Sequence, residues 1–493
     1  MHRSPAGGRG RSAKRQLRSF GPILASVFVV VLVVALAIGV RVFRSSAPTT
    51  AFTSVATAPT GQPWLGFGTN EYPQDRNQSG TDIPWESSAW ALTASRLAYL
   101  RPGLTRINVY LGWFNPSGNL MRFDWNTWQM RNLYQVLSWY RTARLAVQIG
   151  VWHDVINGPP DSSQIYTSNA WASAQAALMY RLVKVDGYAN IYGYAGLNEW
   201  DCSYVHSPAG FSFSQWQTAT SKLRSAFAAV GLSTALIGPD TGCSGGSPVV
   251  RAAQAETGVL AAYENHYYPT ESEVISGKVE SAYAREVASV DQADGGRPPV
   301  YLSEMGVSNP DHGTDPPITS FAYGLDMFDY GVQVLRSGAA GALAWCLDGF
   351  DSHKNCGMWD ISGNNGGTAL RPWFYAWSLL SRFFPPGATT YAMPEPAGVR
   401  IAAARVPAGT SSSAWTFALV NRSKTTAEVT TLSAPALSRG TFEEYIYSSS
   451  RAVTGSGLPA PSRRIATSSG GHVSLTVTVP PDSAVVLTTL HPA

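Results

Sequence analysis

Charged side chains are scarce in this sequence and unevenly placed along it. Only 14% of the 493 residues are charged, whereas 44% are hydrophobic. The chain can therefore bury a large core, and its length predicts two or three domains. The net charge is +4, and it is exceeded by the six cationic residues near the N-terminus: Arg3, Arg9, Arg11, Lys14, Arg15 and Arg18. Without them the chain is slightly acidic, which argues against nucleic-acid binding.

Cysteine is also rare, with four residues in the whole chain. No C-x-x-C pair and no paired histidines accompany them, so the spacing fits no zinc site. Cys202 and Cys243 each follow a predicted strand, and Cys346 and Cys356 flank a single loop. If the two strands are neighbours, their exit loops lie within bridging distance. We predict disulfides Cys202–Cys243 and Cys346–Cys356, with free buried thiols as the alternative.

One long apolar stretch, Phe20 to Val40, contains no charged residue and is followed by Arg41 and Arg44. About twenty such residues suffice to cross a bilayer, and the basic N-terminal side should stay in the cytoplasm. The alternative is a cleaved signal peptide and secretion, but the run exceeds a usual signal core of roughly 7–15 residues. The predicted segments are a cytoplasmic tail at 1–19, a transmembrane anchor at 20–43 and a Ser/Thr/Pro-rich linker at 44–63, with structure beginning at Trp64.

Short apolar runs alternate with amphipathic stretches eight times after the linker, which predicts a parallel (β/α)8 TIM barrel over 64–385. The predicted strands are 64–68, 105–111, 145–151, 192–197, 235–238, 261–265, 300–303 and 342–345. The last part, 386–493, changes to alternating or β-branched runs between Gly, Pro and Ser turns. It predicts a C-terminal antiparallel β-sandwich.

Polar side chains stand at the ends of the predicted barrel strands, where barrel enzymes carry their active sites. The candidates are Arg106, Trp152, His153, Asn198, Glu199, Trp200, His266, Tyr268, Glu304 and Trp345. Asp240 also ends a strand, but we interpret it as a loop hydrogen-bonding residue. Side chains alternate along a strand, so Tyr268 rather than Tyr267 should face inward with His266.

Two strand-end glutamates, Glu199 and Glu304, can flank one glycosidic bond. One would protonate the leaving oxygen while the other attacks the anomeric carbon. A nearby tyrosine and arginine would keep Glu304 ionised. Tryptophan rings offer flat apolar faces to sugars, and sixteen are present; Trp113 and Trp359 are further candidates, although packing explains them equally well.

This set of motifs resembles the clan A retaining glycoside hydrolases, in particular cellulase-like families 5, 30 and 39. The resemblance rests on Arg106, Trp152-His153, Asn198-Glu199, His266-x-Tyr268, Ser303-Glu304 and Trp345. It implies Glu199 as acid/base, Glu304 as nucleophile and Tyr268 as a support for the nucleophile. The sandwich after the barrel also resembles families 30 and 39.

We therefore expect a monomeric, membrane-anchored glycosidase that acts outside the cell on a carbohydrate, with no cofactor and no metal. One alternative is a catalytically inactive carbohydrate-binding or cell-envelope scaffold. A second is a metal hydrolase that uses His153, Asp154 and Glu199. A third is an inverting glycosidase, whose carboxyl groups would lie roughly 6.5–9.5 Å apart instead of about 5–5.5 Å.

Overall fold

The computed structural model describes most of the chain from Ala51 onward, and Thr50–Ala493 forms one compact unit. The described residues are 51–55, 59–61, 63–73, 87–152, 165–202, 211–308, 313–349, 356–361, 367–396, 398–408, 412–435, 437–450, 459–468 and 473–491. The predicted tail, anchor and His153 lie outside these ranges. Within them, no helix has the length and apolar character needed to cross a bilayer.

Eight parallel strands close into a barrel, as the alternating pattern predicts. They are β2 (Gly66–Glu71), β3 (Leu104–Val109), β4 (Ala146–Val151), β5 (Ile191–Ala195), β6 (Leu236–Thr241), β7 (Leu260–Tyr267), β8 (Val300–Met305) and β9 (Gly341–Ala344). Strand β9 pairs with β2 and closes the ring. The strand register sets Asn70 beside Arg106 and His266 beside Glu304. These polar residues therefore lie beside each other on neighbouring strands of the barrel.

Helices surround the barrel, and several of them begin at a hydroxyl cap. They are α1 (Ser88–Leu100), α2 (Leu111–Phe114), α3 (Trp128–Ala143), α4 (Asn169–Tyr180), α5 (Phe213–Ala229), α6 (Ser247–Ala255), α7 (Glu271–Ile275), α8 (Lys278–Asp294), α9 (Phe321–Ser337) and α10 (Pro372–Phe383), with a π-helical turn at Arg181–Val185. Ser87, Thr127 and Ser212 each accept a backbone N–H at a helix start. Such caps satisfy donors that have no partner within the helix.

The barrel interior is polar beneath the strand ends. Tyr301 donates to Gln148 at 2.7 Å, and Gln148 donates to Glu264 at 2.8 Å. Burial raises the pKa of Glu264 to about 7, with Asp240 adding to the effect. Gly150 provides space in the same region, because a Cβ there would lie 2.1 Å from the Asn108 side-chain oxygen. A small residue is required where these side chains cross the axis.

Two sheets form the C-terminal sandwich. Their strands are β1 (Ala51–Ser54), β10 (Thr389–Ala392), β11 (Val399–Ala408), β12 (Ser412–Asn421), β13 (Glu428–Ser433), β14 (Thr441–Ser448), β15 (Arg463–Ala466), β16 (Leu475–Val479) and β17 (Ser483–Thr488). The six-stranded sheet, in the order β10-β11-β12-β17-β14-β15, is antiparallel, as predicted. Buried Trp415, Phe417 and Phe442 contribute to a core that is separate from that of the barrel.

The N-terminal strand corrects the predicted linker at 44–63. Residues Ala51–Ser54 pair in parallel with β13, in a three-stranded sheet that also contains β16. Ordered structure therefore starts before Trp64, and the sandwich is not wholly antiparallel. The Ser/Thr/Ala composition that suggested a spacer also suits an edge strand, because β-branched residues favour extended backbone.

Barrel and sandwich are joined by buried ion pairs on α9. Arg422 donates to Asp326 at 2.5 Å and to Asp329 at 2.7 Å, and Arg400 also contacts Asp329. Both carboxylates have 0% exposed side chains. Removing one partner of such a buried pair leaves an uncompensated charge, so these contacts fix the position of the sandwich on the barrel.

Candidate active site

Glu199 follows the fourth barrel strand, β5, in a turn that directs its carboxylate into the barrel mouth. Its backbone is left-handed, with φ of 45°, a conformation that non-glycine residues adopt at an energetic cost. The amide of Glu199 donates to the Asp240 carbonyl at 2.8 Å. Gly242 lies against the carboxylate, since a Cβ there would be 2.2 Å from Glu199 Oε1. The end of strand β6 and the residue after it therefore fix the position of the Glu199 turn.

Glu304 lies on β8 and is surrounded by donors. Arg106 contacts Oε1 at 2.5 Å, and the Tyr268 hydroxyl donates to Oε2 at 2.7 Å. Tyr267 instead packs outward against Tyr283, in agreement with the predicted alternation. These donors favour the ionised form of Glu304, as expected, but they act against its burial. Burial raises that pKa, the carboxylates of Glu199 and Asp240 add to it, and His266 and Arg106 offset only part.

His266 connects the two glutamates. Its Nδ1 lies 2.9 Å from Glu199 Oε1 and 3.3 Å from Glu304 Oε2, and its Nε2 lies 2.7 Å from Asp240 Oδ1. Burial alone would lower the pKa of His266, but the carboxylates of Glu304 and Asp240 and the hydrogen bonds to Asp240 and Glu199 raise it well above its ordinary value. Oxygens of Glu199 and Glu304 and a ring nitrogen of His266 all lie within 4.8 Å of one another.

Asp240 and Asn70 belong to this cluster although the sequence did not single out Asn70 and suggested only a loop role for Asp240. Arg106 Nη2 donates to Asp240 at 2.7 Å and to the Asn198 side-chain oxygen at 2.6 Å. Arg106 Nη1 donates to Asn70 at 3.2 Å. Burial raises the pKa of Asp240, but Arg106 and His266 outweigh it and lower that pKa overall. Asp240 thus fixes the positions of both Arg106 and His266.

An aromatic wall packs in the same cluster as Tyr268, the tyrosine that donates to Glu304. Trp152 is half-buried and stacks on Trp345, with ring centroids 5.6 Å apart and planes inclined by 17°. Tyr72 meets Trp345 edge-on at 5.7 Å. Trp345 is only 1% exposed, so the ring that presents surface is Trp152, with Trp345 behind it.

Trp200 is placed away from this wall, contrary to its predicted role in substrate binding. Its indole nitrogen donates to the Pro239 carbonyl at 2.7 Å, and its ring stacks on Trp216 of α5 at 6.0 Å. Trp113 and Trp359 are also buried, at 3% and 0% exposure. In the run Leu197-Asn198-Glu199-Trp200, only the two central side chains reach the site, because the turn rotates Trp200 into the helix layer.

Both predicted disulfides are present and brace strand-end loops. Cys202 is bonded to Cys243, and Cys346 is bonded to Cys356. Asp201 adds to the first brace, since its carboxylate accepts the backbone N–H groups of Gly242 and Cys243 at 3.0 Å each. The loop carrying Gly242 is thus tied to the loop carrying Glu199 by covalent and hydrogen bonds.

The sequence matches no protein family and no curated protein. Solved structures do match. The chain is 13% identical to a GH30 endoxylanase from Clostridium papyrosolvens C71, with a TM-score of 0.63, covering 89% of this chain and 99% of that one. It is 16% identical to the catalytic domain of GH30 xylanase C from Talaromyces cellulolyticus, with a TM-score of 0.61, covering 89% of this chain and 100% of that one. It is 12% identical to a GH39 enzyme from Xanthomonas axonopodis pv. citri, with a TM-score of 0.58, covering 92% of this chain and 99% of that one.

The chain has the fold of these glycoside hydrolases. This agrees with the resemblance of the sequence motifs to clan A and to its families 30 and 39. At such low identity the likeness covers the barrel and sandwich rather than an activity.

The sequence around Asp240 contains a feature that could have indicated its place in the site. Gly238-Pro239-Asp240 interrupts an apolar strand with residues that a strand interior rarely accepts. Asp240 has φ of 60°, so this strand end turns sharply and brings its carboxylate inward. Asn70 carries no comparable signal, because its role comes from lying beside Arg106 across the β2–β3 ladder.

Proposed function

We propose that this protein is a retaining glycoside hydrolase, with Glu199 as acid/base and Glu304 as nucleophile. The observation that carries the proposal is the approach of the two glutamates, distant in sequence, to within 4.8 Å between oxygens, with His266 in contact with both. This spacing favours double displacement, because an inverting enzyme needs a gap of roughly 6.5–9.5 Å between its carboxyl groups to hold the attacking water.

The roles follow from the surroundings of each carboxylate. Glu304 accepts from Arg106 and Tyr268 and lies beside His266, and these donors favour the ionised form against the effect of burial. Glu199, at 9% exposure, is closer to solvent than Glu304 at 3%. The acid/base must exchange a proton with the leaving group and later with water, so the more accessible glutamate suits that role.

In the first step, Glu304 attacks the anomeric carbon while the glycosidic C–O bond breaks and Glu199 transfers its proton to the leaving oxygen. In the second step, water attacks that carbon, Glu199 takes a proton from the water and Glu304 leaves as a carboxylate. Asn198 is suited to orient the sugar, because its buried Nδ2 has no hydrogen-bond partner in the part of the chain that the structure describes. A buried amide donor needs a partner, which a sugar hydroxyl can provide.

The substrate we propose is an extracellular or cell-wall polysaccharide or oligosaccharide. Structural neighbours include enzymes described as xylanases, and Trp152, in the same cluster as Tyr268, offers a flat ring for a sugar face. The two disulfides are typical of a domain that works outside the cytosol. The predicted anchor at 20–43 would hold such a domain at the cell surface.

A metal hydrolase that uses the described cluster is disfavoured by the charges there, whereas His153 and Asp154 of the predicted alternative lie outside the described residues. Glu199, His266 and Glu304 could present three ligand atoms to an ion. However, Arg106 donates directly to Glu304, and His266 already engages carboxylates through both ring nitrogens. A cation would have to displace His266 contacts and sit beside a buried guanidinium, which is electrostatically unfavourable.

The test is hydrolysis by the full chain on a panel of aryl glycosides and cell-wall polysaccharides. Glu304→Gln should lower turnover by about 10⁴-fold, because the nucleophile is lost. Glu199→Ala should retain activity on aryl glycosides with good leaving groups and gain rate from added azide. NMR of the first-formed product should show retention of anomeric configuration.

Glu428→Gln, in the sandwich strand β13, is the matched control and should leave hydrolysis unchanged. An inverted product would contradict the mechanism. Saturable oligosaccharide binding without hydrolysis of any panel member would instead favour the inactive carbohydrate-binding scaffold.

A further inference from the structure

A second cavity, of about 610 Å³, lies at the opposite end of the barrel from Glu199. Gly103 and Leu145, which line it, come immediately before strands β3 and β4, and Arg382 comes from the last turn of α10. Its volume is within the range of roughly 300–1,000 Å³ that is usual for small-molecule sites. Nothing in the proposed hydrolysis uses this cavity.

The charged groups that line this basal cavity are all of one sign. They are Arg101, Arg144 and Arg382, and no Asp or Glu is among the described residues that line it; His491, which also lines it, lies 3.6 Å from Glu443. In the described ranges, neither Arg101 nor Arg144 forms a salt bridge. The pKa of Arg382 is lowered, first by burial and also by the neighbouring charge of Arg101, while Tyr99 acts in the opposite direction. The charges of Arg101 and Arg382 are thus close enough to repel each other.

Two of these arginines occupy backbone positions that favour glycine. Arg101 has φ of 52° and Arg144 has φ of 59°, and each ends a helix in the left-handed conformation. Elsewhere Gly295 and Gly338 serve this purpose at the ends of α8 and α9. A left-handed non-glycine residue costs roughly 1–2 kcal/mol of conformational free energy. The chain therefore carries two long cationic side chains at positions where glycine would be more stable.

The helix ends themselves do not cancel this positive charge. The C-termini of α1, α3 and α10 meet at the basal cavity, and each carries a partial charge of about −0.5. Three guanidinium groups exceed that total. The remaining wall is apolar and includes Leu97, Pro102, Pro386 and Leu490, so the cavity combines a cationic rim with an apolar surface.

We propose that the basal cavity binds a phosphate ester with an apolar body, held through its phosphate by Arg101, Arg144 and Arg382. Guanidinium groups match phosphate oxygens with paired hydrogen bonds, and the leucine and proline side chains would cover the apolar part. The headgroup of an anionic phospholipid and a soluble phosphorylated metabolite share this chemistry.

Calorimetric titration of the full chain with dihexanoyl phosphatidic acid tests the proposal. Saturable binding is expected, with much weaker binding of dihexanoyl phosphatidylcholine and of inorganic phosphate. The double variant Arg101→Gly/Arg144→Gly should weaken binding by about 100-fold, or about tenfold for each charge-assisted contact. Its melting temperature without ligand should stay equal or rise, because glycine relaxes both left-handed positions.

Arg297→Gly is the matched control, since Arg297 also has a left-handed backbone, with φ of 53°, but its side chain is 77% exposed and does not line the cavity. This variant should bind the probe as the unaltered chain does. Sedimentation with phosphatidylglycerol vesicles that depends on both arginines would identify a membrane lipid as the source, whereas competition by glucose 6-phosphate would identify a soluble one. Failure of the unaltered chain to bind, or equal affinity in the double variant, would overturn the proposal without affecting that of hydrolysis.

Discussion

At the scale of single residues, the candidate site depends on one carboxylate that is not itself proposed to react. Asp240 accepts from Arg106 and lies 2.7 Å from His266 Nε2, and those two groups in turn contact Glu304 and Glu199. Neutralising or moving Asp240 would therefore alter both proposed catalytic residues at once. Its action would be positioning and electrostatic, in the manner of residues that orient the ligands of a metal.

Asp240→Asn should lower kcat by roughly 10–100-fold with a smaller change in KM, because the orientation of His266 and Arg106 is lost rather than sugar contacts. The midpoint of the His266 imidazole titration, followed by NMR, should fall as the carboxylate charge is removed. Asp482→Asn is the control, since Asp482 is also left-handed, with φ of 48°, and lies in the sandwich. An unchanged titration of His266 would show that Asp240 has only a structural role.

Gly242→Ala tests how closely the neighbouring loop confines Glu199. The added Cβ would lie 2.2 Å from Oε1, so the carboxylate must shift, and kcat should fall about tenfold or more, as expected for small misplacements in active sites. Gly112→Ala is the control, because a Cβ there meets nothing within 4 Å. Full activity in Gly242→Ala, with an intact fold by circular dichroism, would contradict the proposed placement of the acid/base.

At the scale of elements, the strand ends carry the proposed reactive groups. Packing against the surrounding helices determines which of the residues next to them are buried away from the site. Trp152, after β4, keeps surface at the barrel mouth, whereas Trp200, after β5, packs on α5. Both tryptophans follow a strand, so their position along the chain does not separate them. The disulfide Cys202–Cys243 then fixes the β5 and β6 loops to each other.

Trp152→Ala should impair substrate binding, whereas Trp200→Ala should impair stability. Trp152→Ala should raise KM by roughly tenfold with little loss of stability, because a partly exposed sugar platform is removed. Trp200→Ala should lower the free energy of unfolding by about 3–5 kcal/mol, the usual cost of emptying a buried aromatic site. Denaturant titration and initial-rate kinetics on both variants check this, and the reverse pattern would reassign the two rings.

At the scale of the whole molecule, several buried carboxyl groups make stability depend on pH. Burial raises the pKa of Glu71 to about 8, against the opposing hydrogen bond from Tyr140, and raises the pKa of Glu264 in the barrel interior to about 7. Such groups stabilise the folded chain fully only below their unfolded pKa. That contribution is lost as pH rises through the folded value.

Glu71→Gln should therefore raise the melting temperature at about pH 8 and change it little at about pH 5, because the variant side chain cannot ionise and can still accept from Tyr140. The gain at about pH 8 should be on the order of 4 kcal/mol, because each pH unit between the unfolded and folded pKa values contributes about 1.4 kcal/mol. Glu428→Gln is the control, because Glu428 begins sandwich strand β13 and has no ion pair with Arg or Lys among the described residues; it should be neutral at both pH values. An equal effect of Glu71→Gln at the two pH values would show that Glu71 stays ionised in the folded state.

The sequence by itself determined the barrel, the sandwich, the two disulfide pairings and the strand ends at which Glu199 and Glu304 lie. Each of these follows from short-range patterns, because strand periodicity and loop position act within a few residues of chain. Arg106, Asn198, His266 and Tyr268 could be proposed on the same basis.

Only the tertiary structure decided which strand-end residues meet. Asp240 and Asn70 enter the cluster, Trp200 leaves it, and Ala51–Ser54 joins a sheet formed by strands near the other end of the chain. The sign of the shift in the pKa of Glu304 was also decided there, because burial depends on everything packed around the group. These properties arise from contacts between residues far apart in sequence, and no local pattern records such contacts.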